Sequence, residues 1–119
     1  MNEYNEYLDK KSRIEKISNE QNRIRMLDRI LNVKDELINI YKNIRKVILF
    51  GSVITKGEFR EHSDVDIYIE GLDNKEYFKA KAFLETRLQR DIDLYTETDS
   101  KKLVEEICAK GGIIYERKS

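Results

Sequence analysis

From residue 1 to residue 45 the chain is dense in Glu, Lys, Arg, Asn, Ile and Leu, holds no Gly or Pro, and sets Ile17, Ile24, Leu31 and Ile38 seven residues apart. A breaker-free stretch with an apolar row at this spacing predicts helix. Asn32 with Asp35 three positions on has the form of a capping pair, which predicts one long helix ending near Leu31 and a second from about Val33 to Lys42. The row lacks apolar residues at most of the intervening positions of a coiled-coil repeat. It therefore points to a helix lying on its own domain, with a partner-binding helix as the alternative.

Past residue 45 the pattern changes. Lys46-Val47-Ile48-Leu49-Phe50 is a short apolar, β-branched run closed by Gly51, which reads as a buried strand. A polar connection containing Gly57 spans residues 52 to 63. From Ser63 to Glu70 the residues alternate, with Val65, Ile67 and Ile69 on one face and Asp64, Asp66, Tyr68 and Glu70 on the other. Asp73 or Asn74 can cap a helix given an apolar side by Tyr77, Phe78, Leu84 and Leu88 and running to about Gln89. Residues 91 to 95 alternate as a third strand, Asp99 or Ser100 can cap a helix carrying Leu103, Val104 and Ile107, and Ile113-Ile114-Tyr115 follows Gly111-Gly112 as a short fourth strand. The order predicts an α/β (α+β) domain: a small mixed sheet with helices on one side and an N-terminal helical extension. All 119 residues are expected to form one domain, with helices over 1–45 and a core over 46–116.

Composition narrows the function classes. Lys plus Arg and Asp plus Glu number 23 each, so the formal charge is zero and no global field favours nucleic acid or an acidic membrane. The single Cys108 excludes an internal disulfide and a multi-cysteine zinc cage, and it reads as a small packing residue. With no apolar run of spanning length and no signal-peptide core, the expectation is a cytoplasmic protein without membrane or direct nucleic-acid contact.

The chemistry concentrates in LFGSVITKGEFREHSDVDIYIE, residues 49 to 70. Gly51 and Ser52 follow a strand where the chain must turn, and small side chains there let backbone amides approach an anion such as a triphosphate. Asp64 and Asp66 stand two apart on a strand, so their carboxylates share a face and repel each other. One or two Mg²⁺ ions would turn that repulsion into coordination. A third acid is sought on a neighbouring strand, where Asp93, between Ile92 and Leu94, is preferred to its rival Asp91. His62, Lys46, Lys56 and Arg60 read as solvated residues, Tyr68 as a base-stacking or space-filling ring, and Asp73, Asp99 and Ser100 as helix caps.

These strings resemble the polymerase-β-type nucleotidyltransferase superfamily, marked by Gly-Ser, an Asp-x-Asp about a dozen residues later and a third Asp on a later strand. Within it, Phe50-Gly51-Ser52, Ser63-Asp64-Val65-Asp66, Ile92-Asp93-Leu94 and the Gly111-Gly112-Ile113-Ile114-Tyr115 ending look most like the minimal nucleotidyltransferases (MNT). The resemblance covers roughly residues 46 to 116. It implies a polymerase-β-like fold, ATP as cosubstrate, two Mg²⁺ ions, and a HEPN-domain ribonuclease toxin as partner, neutralised by adenylylation of a tyrosine. It also implies that Gly51, Ser52 and Ser63 bind nucleotide, that Asp64 and Asp66 hold both metals, and that Asp93 holds the metal nearest the acceptor hydroxyl.

Two features depart from the family pattern. Gly57 lies six residues after Gly51 where five is usual, and Lys56 stands where Arg is common, replacing a bidentate fork with a point charge. The alternatives are a nucleotidyltransferase acting on a small molecule such as an aminoglycoside, and an antitoxin acting by contact alone. The apolar residues of the N-terminal stretch further suggest a homo- or hetero-oligomer.

Overall fold

The computed structural model describes residues 3–118. The first third of the chain is one helix, α1 (Glu3–Ile40), and the break expected at Asn32 does not occur. A capping pair ends a helix only if the backbone leaves helical geometry there, and nothing near Asn32 drives it out. Met26, Ile30 and Leu37 are buried on either side of that point, so packing carries the helix straight through. α1 does lie on its domain, but along that row. The seven-spaced Ile17, Ile24 and Leu31 face outward, at 60%, 55% and 42% exposure.

The remaining elements are β1 (Lys46–Phe50), β2 (Val65–Glu70), α2 (Tyr77–Leu88), β3 (Ile92–Thr96), α3 (Lys101–Lys110) and β4 (Gly112–Glu116). The sheet runs β3-β2-β1-β4. β1 is antiparallel to both its neighbours, and β2 is parallel to β3, so the sheet is mixed as expected. The parallel pair requires a crossover, which α2 supplies.

Strand alternation sorts the core into two layers. Val47, Leu49, Val65, Ile67, Ile69, Ile92 and Leu94 point into the larger cluster, which α1 and α2 close with Met26, Ile30, Leu37, Ala80, Leu84 and Leu88. Ile48 and Tyr68 point the other way and meet Ile107, Leu103 and Val104 of α3. The helices expected on one side are therefore divided, with α1 and α2 on one face and α3 on the other. The physical reason lies in β1, whose three central residues are all buried, so both faces of the sheet need a cover.

Several local expectations resolve in the same terms. Asp73 accepts from the Lys75 N–H and Ser100 from the Leu103 N–H, as caps should. Phe78 does not join the apolar side of α2 and stands 78% exposed, because Ala80, Leu84 and Leu88 define that side. Cys108 is exposed on α3 rather than packed. Among the described residues no helix is long and apolar enough to cross a membrane.

Candidate active site

The strand register assembles the site. Asp66 on β2 lies directly beside Asp93 on β3, and on its other flank Asp66 pairs with Phe50, the last residue of β1. The carboxylates of Asp64, Asp66 and Asp93 share the α3 face of the sheet, at the end where β1 runs into Gly51. α3 packs over Ile48 and Tyr68 further along and leaves this end uncovered. Asp91 precedes β3 and uses its carbonyl to accept from the Val65 N–H, so the register brings Asp93, not Asp91, to the side of Asp66.

Gly51 turns the chain at φ +75° into a short 3₁₀ turn, Gly51–Ile54. That backbone region is open to glycine and strained for other residues. A Cβ at this position would also overlap Oδ2 of Asp66, so the missing side chain is what lets the turn sit against the carboxylate. Ser52 accepts from the Thr55 N–H through its carbonyl, and the Thr55 hydroxyl donates to the carbonyl of Gly51. The turn is thus closed by its own residues next to Asp66.

The carboxylates are electrostatically strained. Partial burial, then the charge and hydrogen-bonding closeness of Asp93, then the charge of Asp64, push the Asp66 carboxyl up to about 6. Asp64 is also pushed up, by burial first and by Asp93 and Asp91 after it, with Arg90 pulling the other way. A divalent cation is the natural remedy, since it favours the ionised form of both. The donors are hard carboxylate oxygens, the type Mg²⁺ takes. Among the described residues no three His, Cys, Asp or Glu side chains form a ready-made cage. Mg²⁺ commonly takes one or two protein carboxylates and completes its octahedron with substrate phosphates and water.

Two groups of residues that the sequence did not single out hold the loop between Gly51 and Asp64. Arg90, just before β3, donates from one guanidinium nitrogen to the carbonyls of Arg60 (2.9 Å), Glu61 (2.7 Å) and Ser63 (3.0 Å). Its guanidinium also covers the ring of the buried Phe59 at 4.6 Å. From the other side α1 reaches in: Arg23 donates to the Val53 carbonyl and doubly to Glu20, while Glu20 accepts from the Gly57 N–H. Arg23, as hydrogen-bond donor, holds Glu20 down at about 2. Only tertiary contacts reveal these clamps, since the chain spacings involved run from 27 to 37 residues.

Ser63 accepts from the Arg60 N–H at 2.9 Å through its hydroxyl oxygen, in the loop leading into Asp64. Tyr68 is buried in the small α3 cluster and fills space there. His62 is exposed and borders a cleft of about 670 Å³ shared with Asp64, Arg90 and Asp91. A larger cleft of about 810 Å³ lies between α1 and residues 60–63, and none of the three carboxylates lines it. On the other side of Gly51 a smaller, more apolar cleft of about 360 Å³ runs between Phe50, Ile54 and α3, with Lys110 at its edge.

The fold recurs in solved structures. A chain of a toxin-antitoxin crystal structure with AMP-PNP superposes with a TM-score of 0.64 at 24% identity, over 74% of each chain. A chain of the MntA-HepT toxin-antitoxin structure gives 0.57 at 22% identity, over 73% of this chain and 70% of that one. For a structure of the tri-AMPylated HEPN toxin in complex with the MNT antitoxin from Shewanella oneidensis the values are 0.55 and 20%, over 73% and 70%. No curated protein matches by sequence. The family model described as polymerase beta, nucleotidyltransferase, matches residues 32–119, from the last quarter of α1 through every strand of the sheet. With well over half its length inside that match and with the mixed sheet in place, the chain belongs to the polymerase beta nucleotidyltransferase family.

Proposed function

We propose that this chain transfers AMP from ATP to a protein hydroxyl, with two Mg²⁺ ions held by Asp64, Asp66 and Asp93, and that the acceptor is a tyrosine of a HEPN-type toxin which it thereby neutralises. The observation that carries the reading is the placement of Asp93 beside Asp66, under a glycine turn whose missing Cβ leaves room for the carboxylate. Support for the nucleotide and the partner comes from the relatives whose structures contain AMP-PNP and an AMPylated HEPN toxin.

Asp64 and Asp66 would hold the ions, Gly51 and Ser52 would present the turn to the triphosphate, and Asp93 would face the acceptor. When bound, the ions would neutralise the triphosphate and lower the pKa of the attacking hydroxyl. In the transfer, the bond from the acceptor oxygen to the α-phosphorus forms, and the bond from that phosphorus to the bridging oxygen breaks. Pyrophosphate leaves, and Asp93 accepts the hydroxyl proton. Arg90 and the Glu20–Arg23 pair act earlier, by fixing the loop that carries Asp64.

The test is incubation of the purified chain with α-labelled ATP and Mg²⁺, with and without the product of its neighbouring gene, beside an Asp64→Ala, Asp66→Ala variant. Label on the partner that the variant cannot place supports the reading. Tight partner binding with no label from any triphosphate would sink it and leave an antitoxin that acts by contact.

A further inference from the structure

The family match leaves out α1 before Asn32, and the first half of that omitted stretch is not covered by the domain. From Glu3 to Ser18 every residue is exposed, and the molecule extends 61 Å along an axis against 29 and 24 Å across. An unsupported helix of this length is marginal in water, and helices in proteins draw most of their stability from packing an apolar face. Such a face exists. Tyr7, Ile14, Ile17, Ile24 and Leu31 are between 42% and 66% exposed and follow one another at spacings of seven and three. At about 100° per residue this seam lies roughly 180° round the helix from Met26, Ile30 and Leu37, which hold α1 to the sheet. A second helix can therefore lie on the seam without displacing the domain.

We infer that the seam pairs with the same seam of a second copy of this chain, antiparallel, to form a two-helix coil spanning Tyr7 to Leu31. The order of residues along the seam selects that occupant. Its positions are 7, 10, 14, 17, 21, 24, 28 and 31, alternately three and four apart and symmetric about residue 19. Antiparallel pairing about that centre sets Tyr7 on Leu31, Ile14 on Ile24 and Ile17 on Gln21 of the second copy. The two charged members of the seam, Lys10 and Asp28, then meet each other, twice per dimer.

Both are exposed and neither has an ion-pair partner among the described residues. A parallel pair would set Lys10 on Lys10 and Asp28 on Asp28, which repels, and buried polar layers of this kind are what specify orientation and register in coils. Like-charged flanking residues, Lys11 facing Arg25 among them, sit at the solvent rim, where screening keeps the cost small. Because the catalytic carboxylates lie on the α3 face of the sheet and α1 on the other, the dimer leaves both sites open.

The experiment is sedimentation equilibrium of the full chain over a wide concentration range, on the natural sequence, on Lys10→Asp, on Asp28→Lys and on the double variant. All these positions are exposed, and circular dichroism checks that each variant keeps its helices. The natural chain should be a concentration-dependent dimer, each single variant should weaken it about tenfold or more, and the double variant should recover to within a few-fold. Recovery is specific to the antiparallel register, since a parallel pair would gain nothing from the exchange. A natural chain that stays monomeric, including one that associates only with a different protein, overturns the inference. So does a dimer that the double variant fails to restore.

Discussion

The two faces of the sheet are built to different rules. On the α1/α2 face the inward residues of β1, β2 and β3 are aliphatic and almost wholly buried, and two helices seal them. On the α3 face the same strands carry Ile48 and Tyr68 under one short helix and then, at the open end, Asp64, Asp66 and Asp93. One face supplies the stability that lets the other hold like charges together. If so, substitutions on the two faces should separate cleanly into those that cost activity and those that cost the fold.

The largest separation is expected from the double change Asp64→Ala, Asp66→Ala. Transfer should fall by at least about a thousandfold, since charge stabilisation in the transition state is lost. The midpoint of thermal unfolding without metal should hold or rise, because a repelling pair has been removed. A matching loss of stability would show that the carboxylates are structural and that the contrast between the faces is wrong. The converse case is Leu84→Ala under the sealed face, which leaves a cavity and should cost about 2–5 kcal/mol of unfolding free energy in urea titrations. The surviving folded fraction should keep its turnover per active molecule.

Gly51→Ala falls between these, because it touches both accounts. An alanine there must hold a positive φ and sit against Asp66, which should cost about 1–3 kcal/mol in stability and reduce turnover more than nucleotide affinity. Arg90→Ala should be milder. It releases three loop carbonyls and the Phe59 ring, so KM for ATP should rise several-fold with little change in kcat, and Arg90→Lys should recover only part of it. A fall in kcat alone would instead place Arg90 at the reacting atoms.

What could be read from the sequence follows the range of the forces involved. Alternation in Ser63 to Glu70 located β2 and its two faces, because the face toward α1 and α2 takes an aliphatic residue at every second position while the other face carries Asp66, Tyr68 and Glu70. The family strings located the turn and the carboxylates for the same local reason. The helix break at Asn32 was misread because a capping pair is a local preference, and the packing of Met26, Ile30 and Leu37 on distant strands outweighed it. The same competition turned Phe78 outward and let a different row of α1 face the core. The hold of Arg90, Glu20 and Arg23 on the loop left no local trace, since the loop is brought to them only when the sheet has formed; the Glu20–Arg23 pair by itself reads as an ordinary i,i+3 ion pair.

The smallest expected effect concerns pH, and it bears on the open face alone. Asp66 is held at about 6 in the fold, against about 3.9 for an unperturbed aspartate in the unfolded chain. A carboxyl raised in this way binds its proton more tightly when folded. Its contribution to stability is therefore complete below about pH 4 and is lost as pH rises through about 6. With chelator present, urea titrations between these values should show the natural chain losing stability that an Asp66→Asn variant keeps. Saturating Mg²⁺ should flatten the difference near neutrality, because a bound cation favours the ionised form. Equal pH dependence in the two proteins would mean that the open face carries no strain for a metal to relieve.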